Sequence, residues 1–178
     1  MNDLRLILGG HIFFQTLSSA VQLDVFSLLE AKGSMTQAEL QTALGLEQKP
    51  LRILMMSLTA LELVVKDGDR YSNSKVARRH LCVQSPLCVR DIVLWQHFIN
   101  YKPLFHFHEA LVANRNVGLE EFPGAGTTLY ERLAQRPELE AIFQKAMEQI
   151  SIQANQTLVA NVDFSQMEVL VDVGGGDF

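Results

Sequence analysis

From Leu4 to Leu29 the chain reads as one helix that is apolar around most of its circumference. His11, Gln15, Ser18 and Gln22 recur at three- and four-residue steps and make one narrow polar stripe. The remaining positions are mostly Leu, Ile, Val or Phe, among them Leu4, Ile7, Leu8, Ile12, Phe13, Phe14, Val21, Val25 and Phe26. A helix of this kind needs cover on several sides, and large apolar patches do not stay exposed. Burial within one subunit would provide that cover, and so would a second copy of the chain. The second copy is the expectation, because 178 residues leave little material to wrap one helix all round. Lys32 and Gly33, a cation and then a C′ glycine, end the segment.

Composition narrows the class. With 48% hydrophobic and 20% charged residues, the chain can bury enough surface to offset the entropy of ordering. Two cysteines, Cys82 and Cys88, lack C-x-x-C spacing and do not make a disulfide scaffold, which points to a reducing compartment. A net charge of −5 argues against a nucleic-acid binder, which carries a basic footprint. The apolar first segment is interrupted by His11, Gln15, Gln22 and Asp24, too often for a membrane span. Beside Asp3 and a single Arg5 it also makes a poor secretory signal. The expectation is a cytoplasmic protein with no membrane and no nucleic-acid partner.

Short helices follow. Thr36 and Glu39 form a capping box for a helix through Leu40, Ala43 and Leu44, closed by Gly45. Pro50 suits the first turn of a third helix with Leu51, Leu54, Met55, Leu58 and Leu61 on one side. Val64 to Lys66 and Arg70 to Ser72 flank Asp67-Gly68-Asp69 as a hairpin, after which Asn73 or Ser74 caps another helix. This order outlines a winged helix-turn-helix. Lys49 and Arg52 start its second helix, but Leu, Ile and Met fill the rest, and the hairpin charges balance. A packing module is therefore favoured over a reader of DNA.

From Pro86 to Ala113 the pattern is helical, broken at Pro103, and Gly118 to Thr127 reads as a loop. Pro137 opens a long helix with Leu139, Ile142, Phe143, Ala146, Met147 and Ile150 on one side. Asp163 and Ser165 mark a turn, and Val169 to Val173 suits a buried parallel strand. That strand would run into Gly174-Gly175-Gly176, the start of a nucleotide-type turn whose glycines let backbone N–H groups approach a ligand.

The series Ala20-Val21-Gln22-Leu23-Asp24-Val25-Phe26, Thr36 to Leu40, Leu44-Gly45-Leu46, Leu51 to Met55, Tyr71-Ser72, Phe143 to Met147 and Val171 to Gly176 has a recognisable order. It resembles the N-terminal part of the small-molecule O-methyltransferases that use S-adenosylmethionine, the group of plant phenolic and bacterial natural-product tailoring enzymes. The resemblance covers essentially the whole chain. It implies a mainly α fold, a winged-helix-containing helical dimerisation domain followed by the first strand of a truncated Rossmann-like α/β domain. The implied divisions are residues 1–100 for the dimerisation domain, 101–165 for linking helices that wall an acceptor pocket, and 166–178 for the first strand and Gly-rich turn. A homodimer through the N-terminal helices and a small-molecule acceptor are implied with them.

Carried over residue by residue, Asp172, Gly174, Gly175, Gly176 and Ser151 would hold the cofactor. Phe143 and Met147 would sandwich an aromatic acceptor, with plain helix core as the competing reading. Trp95, Phe105 and Phe122 could line the same pocket or serve as core. Two departures stand out: Ile150 lies where a His is common, and Phe178 where a further glycine is usual. No catalytic residue is assigned, since the family's base would lie downstream of Phe178, and the 178 residues alone are expected to be inactive. His97, His106 and His108 read as partly exposed or satisfied helix histidines and not as a metal or base cluster. A stand-alone winged-helix module for dimerisation or DNA-binding regulation is the alternative.

Overall fold

A computed structural model describes residues 4–171 and residue 173, with Arg5 and Gln153 described by backbone alone. The greasy first segment is two helices, α1 (Leu4–Gln22) and α2 (Val25–Lys32), bent 57° from each other. The break corrects the single-helix reading. Asp24 adopts the left-handed conformation with φ 56°, which Asp tolerates because its short side chain can bond locally. Its carboxylate there receives the guanidinium of Arg90.

Within the polar stripe His11 and Gln22 are exposed, but Ser18 turns inward. Ser18 is fully buried, and its hydroxyl oxygen accepts a 3.0 Å hydrogen bond from the Gln22 amide. Small Ser18 and Ala20 sit where α1 meets its neighbours, and the larger apolar residues of its first half point outward. Leu4, Leu6, Ile7, Leu8 and Ile12 are 58–71% exposed, a level that marks an uncovered apolar face.

The next elements agree closely with the sequence. Strand β1 (Met35–Thr36) leads into α3 (Gln37–Leu44), where Thr36 and Glu39 form the expected capping box and Gly45 closes the helix at φ 63°. Helix α4 (Gln48–Ala60) starts two residues before Pro50, which sits in the first turn where its missing N–H costs nothing. Leu51, Met55 and Leu58 are fully buried along α4. Strands β2 (Val64–Asp67) and β3 (Arg70–Asn73) make the hairpin, and β1 adds to β3 to give the antiparallel order β1-β3-β2. Met35 pairs with Tyr71, and Val64 with Asn73. The sheet's third strand was not read from the sequence, since two residues carry no periodicity.

Ser74, not Asn73, caps α5 (Lys75–His80), accepting from the Ala77 N–H. Asn73 instead turns inward and donates to the Phe26 carbonyl at 2.7 Å. Both cysteines are buried and free, and burial pushes the Cys82 thiol up to about 11.

Beyond this unit come α6 (Arg90–Trp95), a π-helical turn (Gln96–Asn100), a 3₁₀ turn that Pro103 opens (Pro103–His106), and α7 (Phe107–Ala113). A second 3₁₀ turn (Val117–Glu121), α8 (Leu129–Leu133) and the long α9 (Pro137–Asn161) complete the described order. Asp163 takes the Ser165 N–H at 2.9 Å, forming the expected turn.

The expected strand at 169–173 is not formed in the described residues. Val169, Leu170 and Val171 have no regular structure and are 74–77% exposed. A parallel strand is held by neighbours on the same sheet, and no described segment lies alongside to pair with it. No single helix among the described residues is long and apolar enough to cross a membrane.

One core joins α2, α3, α4 and the sheet through Val25, Phe26, Leu29, Leu40, Leu51, Met55 and Leu58. Leu29 is fully buried at its centre. Leu29→Ala is expected to lower unfolding free energy by about 2–5 kcal/mol, read as a shift of the urea midpoint at unchanged slope.

Candidate functional site

A second, smaller cluster forms where α9 meets α6 and the π-helical turn. Ile99, Phe122 and Leu133 are buried there, and Trp95, Leu129, Leu139, Ile142 and Phe143 pack on them. The long helix follows from Pro137 at its first position and acidic Glu138 and Glu140 in its first turn. Phe143 meets Tyr130 edge to face at 5.4 Å. Met147 is half-buried one turn further along, and Ser151 half-buried one turn beyond that. Trp95, Phe122 and Phe143 thus belong to one cluster, with Met147 and Ser151 continuing along α9.

Phe105 stands apart. It lies in the 3₁₀ turn, 88% exposed, against the His106 ring and a hollow shared with His11, Tyr101 and Glu121. Asp172, Gly174, Gly175 and Gly176 lie outside the described residues.

Four polar devices that sequence reading missed hold this region in place. Gln149 on α9 donates to Asp91 Oδ2 at 3.1 Å and accepts the Ile92 N–H at 3.4 Å, fixing α9 against α6. Arg132 donates to the carbonyls of Leu119, Phe122 and Gly126 at 2.9, 2.6 and 2.7 Å. That fork ties an irregular segment to α8 through three main-chain carbonyls, of which that of Leu119 also accepts the Phe122 N–H. Thr128 and Glu131 form a capping box at the start of α8, a T-x-x-E signal visible in the sequence.

The fourth device is His106. Its Nε2 lies 2.9 Å from Glu121 Oε1 and its Nδ1 3.2 Å from Glu109 Oε2. Ionised carboxylates only accept, so the ring donates at both nitrogens when it carries both protons. Hydrogen bonds to Glu121 and then Glu109 raise its pKa above the usual histidine value. The Glu109 partner lies three residues on, one helical turn away. His97 differs: burial lowers its pKa, and its Nδ1 has no hydrogen-bond partner among the described residues. The buried Trp95 Nε1 is likewise unpaired among them. No group of three metal-ligating side chains occurs among the described residues.

The geometry resembles known proteins over most of its length. Residues 5–82 match the family model of the O-methyltransferase dimerisation domain, and residues 106–177 match that of the O-methyltransferase domain. The chain belongs to the S-adenosylmethionine-dependent O-methyltransferase family. It is 36% identical to the L-tyrosine C(3)-methyltransferase of Streptomyces lavendulae, over 99% of this chain and 48% of that protein. The acetylserotonin O-methyltransferase of Bos taurus is 27% identical, over 94% of this chain and 50% of its own length. Among solved structures, the S-adenosylmethionine-dependent methyltransferase SibL in its apo form superposes with a TM-score of 0.82 at 35% identity, over 93% of this chain and 48% of its own. Human N-acetylserotonin methyltransferase bound to its cofactor shares the fold at the same TM-score and 22% identity, over 91% and 48%. The chain spans about half the length of the curated relatives it matches.

Protonated His106 links the 3₁₀ turn at Val117–Glu121 to the start of α7. Because its folded-state pKa is raised, this contribution is whole below the unfolded value of about 6.5 and fades as pH rises through the folded value. The urea midpoint is expected to fall over that window in the parent chain and to change less in His106→Gln.

Proposed function

We propose that this chain is the N-terminal portion of an S-adenosylmethionine-dependent methyltransferase acting on a small aromatic or natural-product hydroxyl. Its share is the dimer contacts and the wall of the acceptor pocket. The reading is carried by the two family matches in sequence, dimerisation at residues 5–82 and O-methyltransferase at 106–177, each meeting a structural counterpart. The first meets the uncovered apolar face of α1, and the second the aromatic cluster on α9.

In this reading residues 1–100 form the dimerisation domain, 101–165 the linking helices and 166–178 the entry to the cofactor domain. The helices α2 to α4 with the β1-β3-β2 sheet form a winged-helix packing module. Its α4 exposes Ile53 and Met56, and Arg70 of its hairpin is engaged by Ser34 and Glu39, a surface poorly suited to phosphates. A homodimer covers α1, the protein works in the cytoplasm, and neither nucleic acid nor membrane is a partner.

Bound S-adenosylmethionine supplies a sulfonium-activated methyl group. The residue among those described that fits it is Ser151, whose half-buried hydroxyl on α9 can donate to a carboxylate or accept from an ammonium group. Asp172, Gly174, Gly175 and Gly176 are proposed to hold the same end of the molecule. Phe143 and Met147 would present an aromatic face and a polarizable thioether to a planar acceptor. Trp95 and Phe122 back them, and Phe105 is assigned to the rim. Together they would orient the acceptor and exclude water, and alignment of the reacting atoms supplies much of the rate. The base that takes the hydroxyl proton is placed in the half of the relatives' length that this chain does not span.

The relative at 36% identity favours a second reading, in which the methyl group goes to carbon, since that protein is named for C(3) of tyrosine. Deprotonating a phenol makes both the oxygen and the ring carbon ortho to it nucleophilic, so one pocket can serve either outcome.

The 178 residues alone, given S-adenosylmethionine and 1-naphthol, are expected to transfer no methyl group. The product of the gene read onward past Phe178 is expected to do so, with ¹³C label from the cofactor appearing as O–CH₃ by NMR. Label on ring carbon would support the second reading. Turnover by the 178 residues alone, or none by the longer product, would contradict the proposed division of labour.

A further inference from the structure

A cavity of about 370 Å³ lies between the π-helical turn, the two 3₁₀ turns and α7; it adjoins the aromatic cluster, sharing Ile99, Phe122 and Leu129 with it, while Phe143 and Met147 do not line it. Its walls include Ile99, Phe107 and Leu119, its polar groups are the carboxamides Gln96, Asn100 and Asn116, and no charged side chain among the described residues lines it.

The π-helical turn is what brings two of these amides together. Tyr101 N–H donates to the Gln96 carbonyl at 2.8 Å, five residues back, and the widened turn sets the Gln96 and Asn100 side chains side by side. Asn100 Nδ2 donates to Gln96 Oε1 at 3.2 Å. That bond leaves the Gln96 NH₂ as a donor and the Asn100 carbonyl oxygen as an acceptor, adjacent on one wall.

The opposite wall is fixed before any ligand arrives. Gly118 abuts the 3₁₀ turn so closely that an added Cβ would lie 2.8 Å from Pro103 Cβ and 2.9 Å from its carbonyl oxygen. Arg132 grips the Leu119 carbonyl from behind. A preformed, mostly apolar cavity with a few convergent polar groups is the usual character of a small-molecule site, and this volume is at the small end of such sites.

We infer that this cavity is a binding site for a neutral, planar molecule of one or two fused rings that carries a hydrogen-bond donor and acceptor on adjacent atoms, as in a lactam. Its acceptor takes the Gln96 N–H and its donor gives to the Asn100 oxygen, while the rings lie among Ile99, Phe107 and Leu119. A charged ligand is excluded because the cavity lining holds no opposite charge to offset lost hydration. Through Phe122 the cavity adjoins the acceptor wall proposed above, but the test below reads binding by Gln96 and Asn100 and not methyl transfer, so the two readings fail separately.

Three probes test it on the 178-residue chain: 2-quinolone, a neutral bicyclic lactam; quinoline, which lacks the lactam; and quinoline-2-carboxylate, which is charged. Binding is read from the side-chain amide NMR signals of Gln96 and Asn100 and from the fluorescence of Trp95, the single tryptophan. The lactam is expected to bind at least about tenfold more tightly than the other two, one hydrogen-bond pair's worth. Asn100→Leu should reduce it to the level of quinoline, and Ala110→Phe, which fills the cavity from α7, should abolish it. Equal affinity for all three probes, no binding of the lactam, or its retention in Ala110→Phe would overturn the inference. So would undiminished binding in a folded Asn100→Leu. If that variant does not fold, Ala110→Phe decides.

Discussion

The structure depends on one unresolved demand of α1, a helix with apolar side chains on two opposite sides. Its C-terminal half closes over the core, where Ser18, Ala20 and Val21 are buried. Its N-terminal half leaves Leu4, Leu6, Ile7, Leu8 and Ile12 in water. At about 25 cal/mol per Å² of apolar surface removed from water, such a face is a strong drive to association. Its position inside the matched dimerisation domain gives that drive a direction.

The same helix is connected to the distant aromatic cluster through named contacts. Phe14 stacks on Tyr101 at 5.3 Å, and the Tyr101 hydroxyl donates to the His11 carbonyl at 3.3 Å. At the α1–α2 corner Asp24 holds Arg90, the first residue of α6. Helix α6 is in turn held to α9 by Gln149. The surface proposed to pair subunits and the surface proposed to wall a pocket are thus joined by a run of named contacts.

Much of the N-terminal half was legible because its signals are local. The Thr36–Glu39 box, Gly45, Pro50 and the Asp67-Gly68-Asp69 turn each report a physical need met within a few residues. The break at Asp24 was not, since its ion pair joins residues 66 apart in sequence and no periodicity records it. The inward turn of Ser18 was hidden for a related reason: a hydroxyl satisfied one helical turn away can enter a core. At the cluster, Phe143 and Phe122 were singled out from the sequence and the structure places them together, whereas Gln149 and Arg132 act through partners that sequence spacing does not reveal. The strand expected at residues 169–173 shows the limit of an apolar run as a signal, because a parallel strand also needs a neighbour.

Sedimentation of the 178-residue chain across a wide concentration range tests the role of α1 most directly. A particle of twice 20.0 kDa is predicted, falling to a single copy when Ile7 and Leu8 are both replaced by Glu. A parent chain that stays at one copy throughout, or a double variant that still pairs, would contradict it.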